Sequence, residues 1–560
     1  MTWKIVWQYD FCPLIFLILF SLFLFFFPFN NNRPLWEPDE GMHAQVSKEI
    51  LETGDWITPR FNGEKFFDKP ILHYWLVSLS FLFLGVNELA ARLPAAILGL
   101  GGVLVVFYLG KYLYNRETGF LAGIILATTG IYLALSQSVV HDIGLSFFIS
   151  LSLLCFYLFY LKEERSNTCL LLLYLSMGFG VLAKGPIGFL LPMGIIILFL
   201  LLVGKIGQLK ELVTRQGILI FFAISLPWYI LVTLKNPEFF SHFFFKQNLG
   251  RFFSPPSGDS QPSYYYIPLV AISFIPWTYY LPNALIAQVT TIIKSRDKER
   301  RASLFIILWL GVIFLFFSLA KAKQWPYLLP LYPALALMLG RFWYNYLFMA
   351  VPAGNNLNKG IRLSSWLLLI SYLPAPLFLL IYLHYHPLPY IPQPLLIQTI
   401  IISLLALIST GASHIFFLIK DKKKGLFLIN LIFILVTTLI FIYYGFPIVS
   451  QSKSVKRVAI KLGQLVPAGE KIVFYKHLRE SAIFYSGRQG RVIESKEELR
   501  QYLASKKQVY CLINKKDYEK VRDYIADFGF IVDQEGKAIL ISNRKSLQLP
   551  GFAARDDHYS

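Results

Sequence analysis

The sequence predicts a polytopic α-helical membrane protein of about thirteen transmembrane helices, followed by a C-terminal α/β domain outside the membrane. Three observations carry that expectation. Of 560 residues, 56% are hydrophobic and only 15% charged, against roughly 45–50% and about 25% in soluble chains. Apolar runs of about 20 residues, enough to cross roughly 30 Å of hydrocarbon, recur as far as residue 447. From Ser452 onward the charge becomes dense. Such a composition excludes an ordinary soluble enzyme, a disordered chain and a disulfide scaffold. The excess of Lys+Arg 53 over Asp+Glu 33 falls mostly in short runs between apolar segments. That is the positive-inside pattern rather than a nucleic-acid footprint, so membrane lipids are expected partners and nucleic acid is not.

The first apolar run, 11–29, is longer and bulkier than a cleavable signal core and is followed by Asn30, Asn31, Asn32 and Arg33, with no small-residue cleavage site. It reads as an uncleaved first span. Further spans are expected near 93–111, 119–135, 141–161, 168–183, 186–203, 216–234, 265–286, 303–320, 325–343, 363–385, 396–419 and 425–447. Basic clusters at 111–116, 162–165, 205–215, 294–301, 359–362 and 420–424 alternate correctly if all are cytoplasmic, which puts the N-terminus inside. Residues 30–92, the loop near His141, residues 235–264 and the tail from Ser450 are then outside. The same parity makes 71–86 a re-entrant or interfacial element, a fourteenth span being the alternative. The chain divides into a membrane domain, 1–449, with outer loops 30–92 and 235–264, and an outer domain, 450–560. In the latter, strand-like runs at 472–475, 508–513 and 538–542 alternate with helical stretches at 496–505 and 516–528. Residues 547–560 read as a frayed terminus. Cys12, Cys155, Cys169 and Cys511 have no metal-ligand spacing.

Charges at a membrane edge are costly and therefore informative. In the first outer loop, Trp36-Glu37-Pro38-Asp39-Glu40-Gly41 opens an amphipathic helix that Gly54 closes. Asp39 and Glu40 could be no more than carboxylates complementing the helix dipole. They keep company, however, with Gly54-Asp-Trp-Ile-Thr-Pro-Arg60, a turn at Asn62-Gly63, and Phe66-Phe-Asp68-Lys69-Pro70. Acids, a lysine and aromatics at a membrane surface suit an anionic lipid-linked substrate. Asp142, after His141, is a further acid at the outer end of a span; a plain cap is its simpler reading.

These segments resemble bacterial lipid-to-lipid sugar transferases of the C-type glycosyltransferase superfamily. The resemblance rests on Glu37-Pro-Asp-Glu-Gly, Gly54-Asp-Trp-Ile-Thr-Pro-Arg, Phe67-Asp-Lys-Pro, Ala91-Arg-Leu-Pro-Ala and His141-Asp-Ile-Gly-Leu-Ser-Phe-Phe. It continues in Gln247-Asn248-Leu-Gly-Arg251-Phe, Ile275-Pro-Trp-Thr and Phe317-Ser-Leu-Ala-Lys321-Ala-Lys323-Gln-Trp-Pro-Tyr327, in order over residues 35 to about 340. The nearest kind is the aminoarabinose lipid A transferases, relatives of the protein O-mannosyltransferases.

The resemblance implies transfer of a sugar from undecaprenyl phosphate to lipid A or another envelope acceptor, with inversion, on the outer face of a bacterial inner membrane. Asp39 holds the position of the catalytic acid in the Asp39-Glu40 pair, and Asp142 that of the second outer acid. Lys69 matches the basic residue between the acid and Pro70, and is expected to hold the donor phosphate. Arg251 and one of Lys321 or Lys323 are expected beside it, with Tyr327 hydrogen-bonding nearby; interfacial snorkelling is the simpler reading of the two lysines. No cofactor is certain. A divalent metal would use Asp68 and Asn248, where the family commonly has Glu and His, and the shorter acid and the amide weaken such a site. The Tyr264-Tyr265-Tyr266 loop reads as an aromatic belt or as a gate. Two alternatives stand beside this function: the same chemistry on a protein hydroxyl or another glycan, and a transporter. The acids cluster in outer loops and no halves repeat, which disfavours transport.

Overall fold

The structure, a computed structural model, describes residues 11–26, 33–161, 167–254, 260–295, 298–349, 356–372, 381 and 393–545. Residues 27–32, 162–165, most of 373–385 and 547–560, each within a segment named above, lie outside the described residues. The chain forms two compact units. One comprises residues up to Asn32, Gly54–Pro59 and Phe66–Tyr444; the other comprises Arg33–Thr53, Arg60–Lys65 and Gly445–Ser560. Two pieces of the first loop therefore group with the C-terminal residues rather than with the helices that flank them in sequence.

The first unit is a helical, multi-pass membrane protein. Among the described residues seven helices are long and apolar enough to cross a bilayer, or up to nine if each of two bent pairs is one span. The difference from the sequence-based count has local causes. Phe11–Phe26 and Ile187–Leu202 are 16 residues each, about 24 Å at 1.5 Å per residue. The run at 325–343 divides into a 3₁₀ turn, Trp325–Leu331, and the helix Tyr332–Phe348. The run at 119–135 bends by 69° between Arg116–Ala127 and Gly130–Ser136. There the Thr128 and Thr129 hydroxyls return to the Ile124 and Ile125 carbonyls at 2.7 Å each, and Thr129 is extended. The run at 265–286 bends by 112° before Trp277, after Pro276, which has no N–H to continue a ladder. The 71–86 run is a 13-residue helix, Leu72–Leu84.

Asp142–Leu161 is the most enclosed span, with 78% of its apolar window buried. It packs beside Glu88–Leu113 and Asn167–Lys184. Asn87 and Asn115 cap Glu88–Leu113 and Arg116–Ala127, accepting from Ala90 N–H at 2.8 Å and Thr118 N–H at 2.9 Å. These two helices meet through Gly110 and Gly119: a Cβ on Gly110 would lie 2.5 Å from the Gly119 Cα. Small residues permit that approach where no hydrophobic driving force exists between helices.

In the second unit a five-stranded sheet has the order β4-β3-β5-β7-β6, with β3 Ile472–Tyr475, β4 Gly490–Ile493, β5 Tyr510–Asn514, β6 Phe530–Glu535 and β7 Ala538–Ser542. The pairs β3–β4 and β3–β5 are parallel; β5–β7 and β6–β7 are antiparallel. Period-two alternation sends Ile472, Phe474, Leu512 and Leu540 to one apolar cluster and Val473, Tyr475, Cys511, Ile513, Ile539 and Ile541 to another. Both faces are covered, which is why these strands read as continuous apolar runs. The hairpin β1 Arg60–Phe61 and β2 Glu64–Lys65 turns at Asn62 (φ 57) and Gly63 (φ 80), the left-handed pair that Asn-Gly supplies.

Candidate active site

In the first unit a cavity of about 470 Å³ collects the turn Asp68-Lys69-Pro70, Lys184, Gln247, Asn248, Arg251 and Tyr327 between apolar walls such as Phe243, Phe316 and Phe317. Each polar residue comes from a break in helical order. Lys184 ends the helix Asn167–Lys184, where Gly185 (φ +83) turns the chain into Ile187–Leu202. Gln247 and Asn248 belong to a π-helical stretch, Ser241–Gly250, a geometry that tends to mark functional positions. Arg251 follows it, and its carbonyl accepts the Ala322 N–H at 3.1 Å while the Phe252 carbonyl accepts the Lys321 N–H at 2.9 Å. The Gly54–Pro59 motif buttresses this region within the same unit. Asp55 pairs with Lys235 at 2.9 Å, and Trp228 and Asn236 donate to the Ile57 carbonyl (2.9 Å) and the Thr58 hydroxyl (2.8 Å). Burial acts to raise the Asp55 pKa, but Lys235 and the Thr58 and Ile57 N–H groups outweigh it and hold the carboxyl below its ordinary value.

Lys69 and Arg251 line the cavity, and among the described residues neither forms an ion pair with a carboxylate. Lys184, which the sequence reading passed over, is a third cation. Its ammonium pairs with Asp142, both side chains being largely buried, and lies 4.2 Å from the Tyr327 ring centroid. Asp142 therefore meets the cavity through Lys184. His141 packs behind it between His73 and Tyr74, at centroid distances of 4.5 and 4.9 Å. A lone lysine closing an apolar run was the available signal for Lys184.

Lys321 and Lys323 are not among the lining residues. Lys321 is exposed. Lys323 is buried and donates to the Gln261 carbonyl at 3.1 Å and to Ala320, which ties it to the loop backbone. Tyr266 of the tyrosine-rich loop is buried, its hydroxyl donating to the Gln324 carbonyl at 3.3 Å, while Tyr264 is exposed.

Asp68 accepts from Gln247 Nε2 at 2.6 Å and lies 3.5 Å from His242 Nε2. Asn248 donates its amide to the Phe243 carbonyl at 2.7 Å. Around these positions stand one carboxylate, one imidazole and two amides. No group of three or more His, Cys, Asp and Glu side chains among the described residues could hold a metal. That donor set does not fit a dication, and no step below runs through one.

Asp39 and Glu40 lie in the second unit, in the first turn of Asp39–Thr53. They differ sharply. Glu40 is buried, accepts the Trp36 N–H at 3.0 Å and lies 3.6 Å from Arg33; it closes the helix start. Asp39 is exposed, so it is the acid of the pair that faces solvent. Nearby, Glu480 has its pKa pushed up to about 7 by burial, with the Glu37 and Asp39 charges adding and Arg479 opposing. A carboxyl raised in the folded state binds a proton that the unfolded chain has already lost, so stability falls as pH rises from about 4.5 to about 7. Glu480→Gln is expected to remove most of that fall, on the order of 1–2 kcal/mol after solvent screening. Thermal melts of the full-length protein in detergent at pH 5 and pH 8 check it; an unchanged pH slope in the variant would show that Glu480 does not titrate there.

The fold is shared with membrane-embedded proteins of known structure. The structure superposes on that of ArnT from Cupriavidus metallidurans bound to undecaprenyl phosphate with a TM-score of 0.77, covering 95% of this chain and 98% of that one at 20% identity. The oligosaccharyltransferase AglB from Archaeoglobus fulgidus, in complex with an inhibitory peptide and a dolichol-phosphate, superposes with a TM-score of 0.55 at 12% identity, over 96% of this chain and 74% of that one. In sequence, residues 14–243 match the dolichyl-phosphate-mannose-protein mannosyltransferase family. The undecaprenyl phosphate-alpha-4-amino-4-deoxy-L-arabinose arabinosyl transferase of Yersinia enterocolitica is 31% identical over 332 residues, 58% of each chain. The arabinosyl transferase of the same description from Aeromonas salmonicida is 32% identical over 338 residues, again 58% of each. The chain thus spans somewhat more than half the length of the curated relatives it matches, and the similarity to sugar transferases read from its motifs is found again in these proteins.

Proposed function

We propose that the protein transfers 4-amino-4-deoxy-L-arabinose from undecaprenyl phosphate to lipid A on the periplasmic face of a bacterial inner membrane. The observation that carries this reading is the pair of cations, Lys69 and Arg251, that have no carboxylate partner among the described residues and line a cavity with apolar walls. Two half-buried positive charges beside apolar walls suit a phosphate monoanion or dianion, and the apolar walls strengthen their field. Beside it lies an apolar cavity of about 520 Å³ that shares Pro186, Leu190 and Phe244 with it. A polyprenyl chain would lie there while its phosphate meets the cations. The arabinosyl transferase relatives and the undecaprenyl phosphate in the ArnT crystal structure support the donor.

The acceptor oxygen attacks the anomeric carbon, the bond from that carbon to the phosphate oxygen breaks, and undecaprenyl phosphate leaves with the bonding pair. Lys69, Arg251 and the Lys184–Asp142 pair stabilise the charge that builds on the leaving phosphate. Because that group is already a good anion, little general acid is needed. Asp39 orients the acceptor and takes its proton where the acceptor is a hydroxyl. One displacement inverts the anomeric carbon. Completing the picture, about thirteen spans with the N-terminus inside leave 30–92, 235–264 and an α/β domain, 450–560, outside. The helix Leu72–Leu84 is re-entrant: 13 residues span about 20 Å, short of the hydrocarbon thickness.

Mass spectrometry of lipid A and total envelope glycans from cells with and without the gene tests this function. An aminopentose increment on lipid A, lost on deletion, is expected. Unchanged lipid A with a glycoprotein or another glycan lost would move the acceptor to a protein hydroxyl or that glycan, and no change anywhere would count against transfer altogether.

A further inference from the structure

Glu37 precedes Asp39 by two residues and is held at three points within the second unit. Its N–H donates to the Lys453 carbonyl at 2.8 Å. Its two carboxylate oxygens accept from Arg479 Nη1 at 2.5 Å and from Ser481 Oγ at 2.8 Å. The other Arg479 terminal nitrogen donates to the Asn514 side chain at the end of β5. A continuous chain of contacts thus runs from the sheet through Asn514, Arg479 and Glu37 to Pro38, whose ring fixes φ, and so to Asp39.

The helix behind Asp39 is seated on the same framework. A Cβ on Gly41 would lie 2.6 Å from the Ser481 backbone nitrogen, so the first turn touches the 480–486 segment directly. Farther along, Glu49 accepts the N–H groups of Asn62 and Gly63 at 2.7 and 3.0 Å. The Asn62 side chain in turn pairs with both the carbonyl and the N–H of Gly490, at 3.0 and 2.6 Å. These contacts hold the helix body without help from Arg479.

The ion pair itself is nearly enclosed, with side-chain exposures of 19% for Arg479 and 7% for Glu37. An enclosed ion pair is a poor source of net stability, because desolvation offsets most of the Coulombic gain; what it supplies well is geometry. We infer that Arg479 and Ser481 are positioning residues for sugar transfer, clamping Glu37 so that the Asp39 carboxylate is presented in one place. This rests on the catalytic reading of Asp39, and it makes the C-terminal sheet part of the catalytic apparatus.

The test uses the purified full-length protein in lipid vesicles, with undecaprenyl-phosphate aminoarabinose as donor and lipid A as acceptor. Arg479→Met is expected to lower kcat about 10- to 100-fold, the scale of an ångström-size misplacement, with the donor KM unchanged and the melting temperature lowered, because Glu37 keeps its buried charge without its cation. Arg479→Lys restores part of the rate. The double variant Glu37→Gln/Arg479→Met is no slower than the worse single, since both remove one clamp. Ser481→Ala, which deletes only a hydroxyl, costs about three- to tenfold in kcat and carries the test if the Met variant fails to fold. Rates near parental in Arg479→Met or, should it not fold, in Ser481→Ala, or fully additive losses in the double variant, overturn the inference. An Asp39→Asn control separates the two levels. If it is inactive while the clamp variants are normal, only the positioning role falls; if it turns over at the parental rate, the catalytic reading falls and the inference with it.

Discussion

Asp39→Asn is expected to bring sugar transfer down by about 10²–10⁴-fold, the usual loss when a positioned base is removed, with the protein still folded. The amide keeps the size of the side chain and loses only its charge. Loss of that charge at a helix start costs about 0.3–1 kcal/mol, because Asp39 is exposed and the helix is held by Glu37, Glu40 and Glu49. Glu40→Gln separates the two acids. Its carboxylate serves the Trp36 N–H and Arg33, so the expected result is a lower melting temperature with most of the turnover kept. Lipid A mass spectrometry on cells carrying each variant reads the activity, and melts of the purified proteins read the fold. Undiminished aminopentose addition in Asp39→Asn would remove Asp39 from the chemistry.

Lys184→Met is expected to be the most destabilising single change in the cavity wall. It leaves the buried Asp142 without its cation. Removing one partner of a buried ion pair typically costs about 3–5 kcal/mol, since the other charge stays desolvated and uncompensated. The double variant Lys184→Met/Asp142→Leu takes both charges away and is expected to recover most of the melting temperature. It is not expected to recover transfer, because Lys184 also lines the cavity and sits over Tyr327. Melting of the two variants in detergent beside their rates with the same donor decides the matter. A Lys184→Met protein as stable as the parent would show that Asp142 does not depend on Lys184 for compensation in the folded state.

Much of this was legible in the sequence for a simple reason: apolar length and charge placement are local properties. Long uninterrupted runs, such as 141–161 and 303–320, became the spans Asp142–Leu161 and Lys298–Leu319. The C-terminal runs 472–475 and 538–542 coincide with β3 and β7, where both faces are buried and apolar content is continuous. Strands β4 and β6 escaped notice because their burial alternates with exposed residues such as Arg491 and Ile531. Motif order singles out Lys69, Arg251 and Tyr327, and the three line one cavity. Lys184 was missed although a charge at the end of an apolar helix is a costly feature. One of Lys321 or Lys323 is expected from the sequence beside the donor phosphate, yet Ala320 and Ala322 line the cavity while Lys321 is exposed and Lys323 is tied to the Gln261 carbonyl. Nothing in a linear reading could announce that the Asp39 helix belongs with strands more than 400 residues later, because that association rests on side chains far apart in the chain, 442 residues in the case of Arg479 and Glu37.

That separation bears on the order of events during synthesis. The Asp39 helix is made early, yet the groups that seat it, Ser450, Arg479, Ser481 and Gly490, leave the ribosome more than 400 residues later. Contacts this distant close late, after the long intervening chain has been inserted. A chain ending before Ser450 would carry Lys69, Lys184 and Arg251 in its first unit while the Asp39 helix remained unseated. Under the proposed function such a fragment would bind lipid-linked sugar without transferring it, and the segment from Ser450 onward would license turnover.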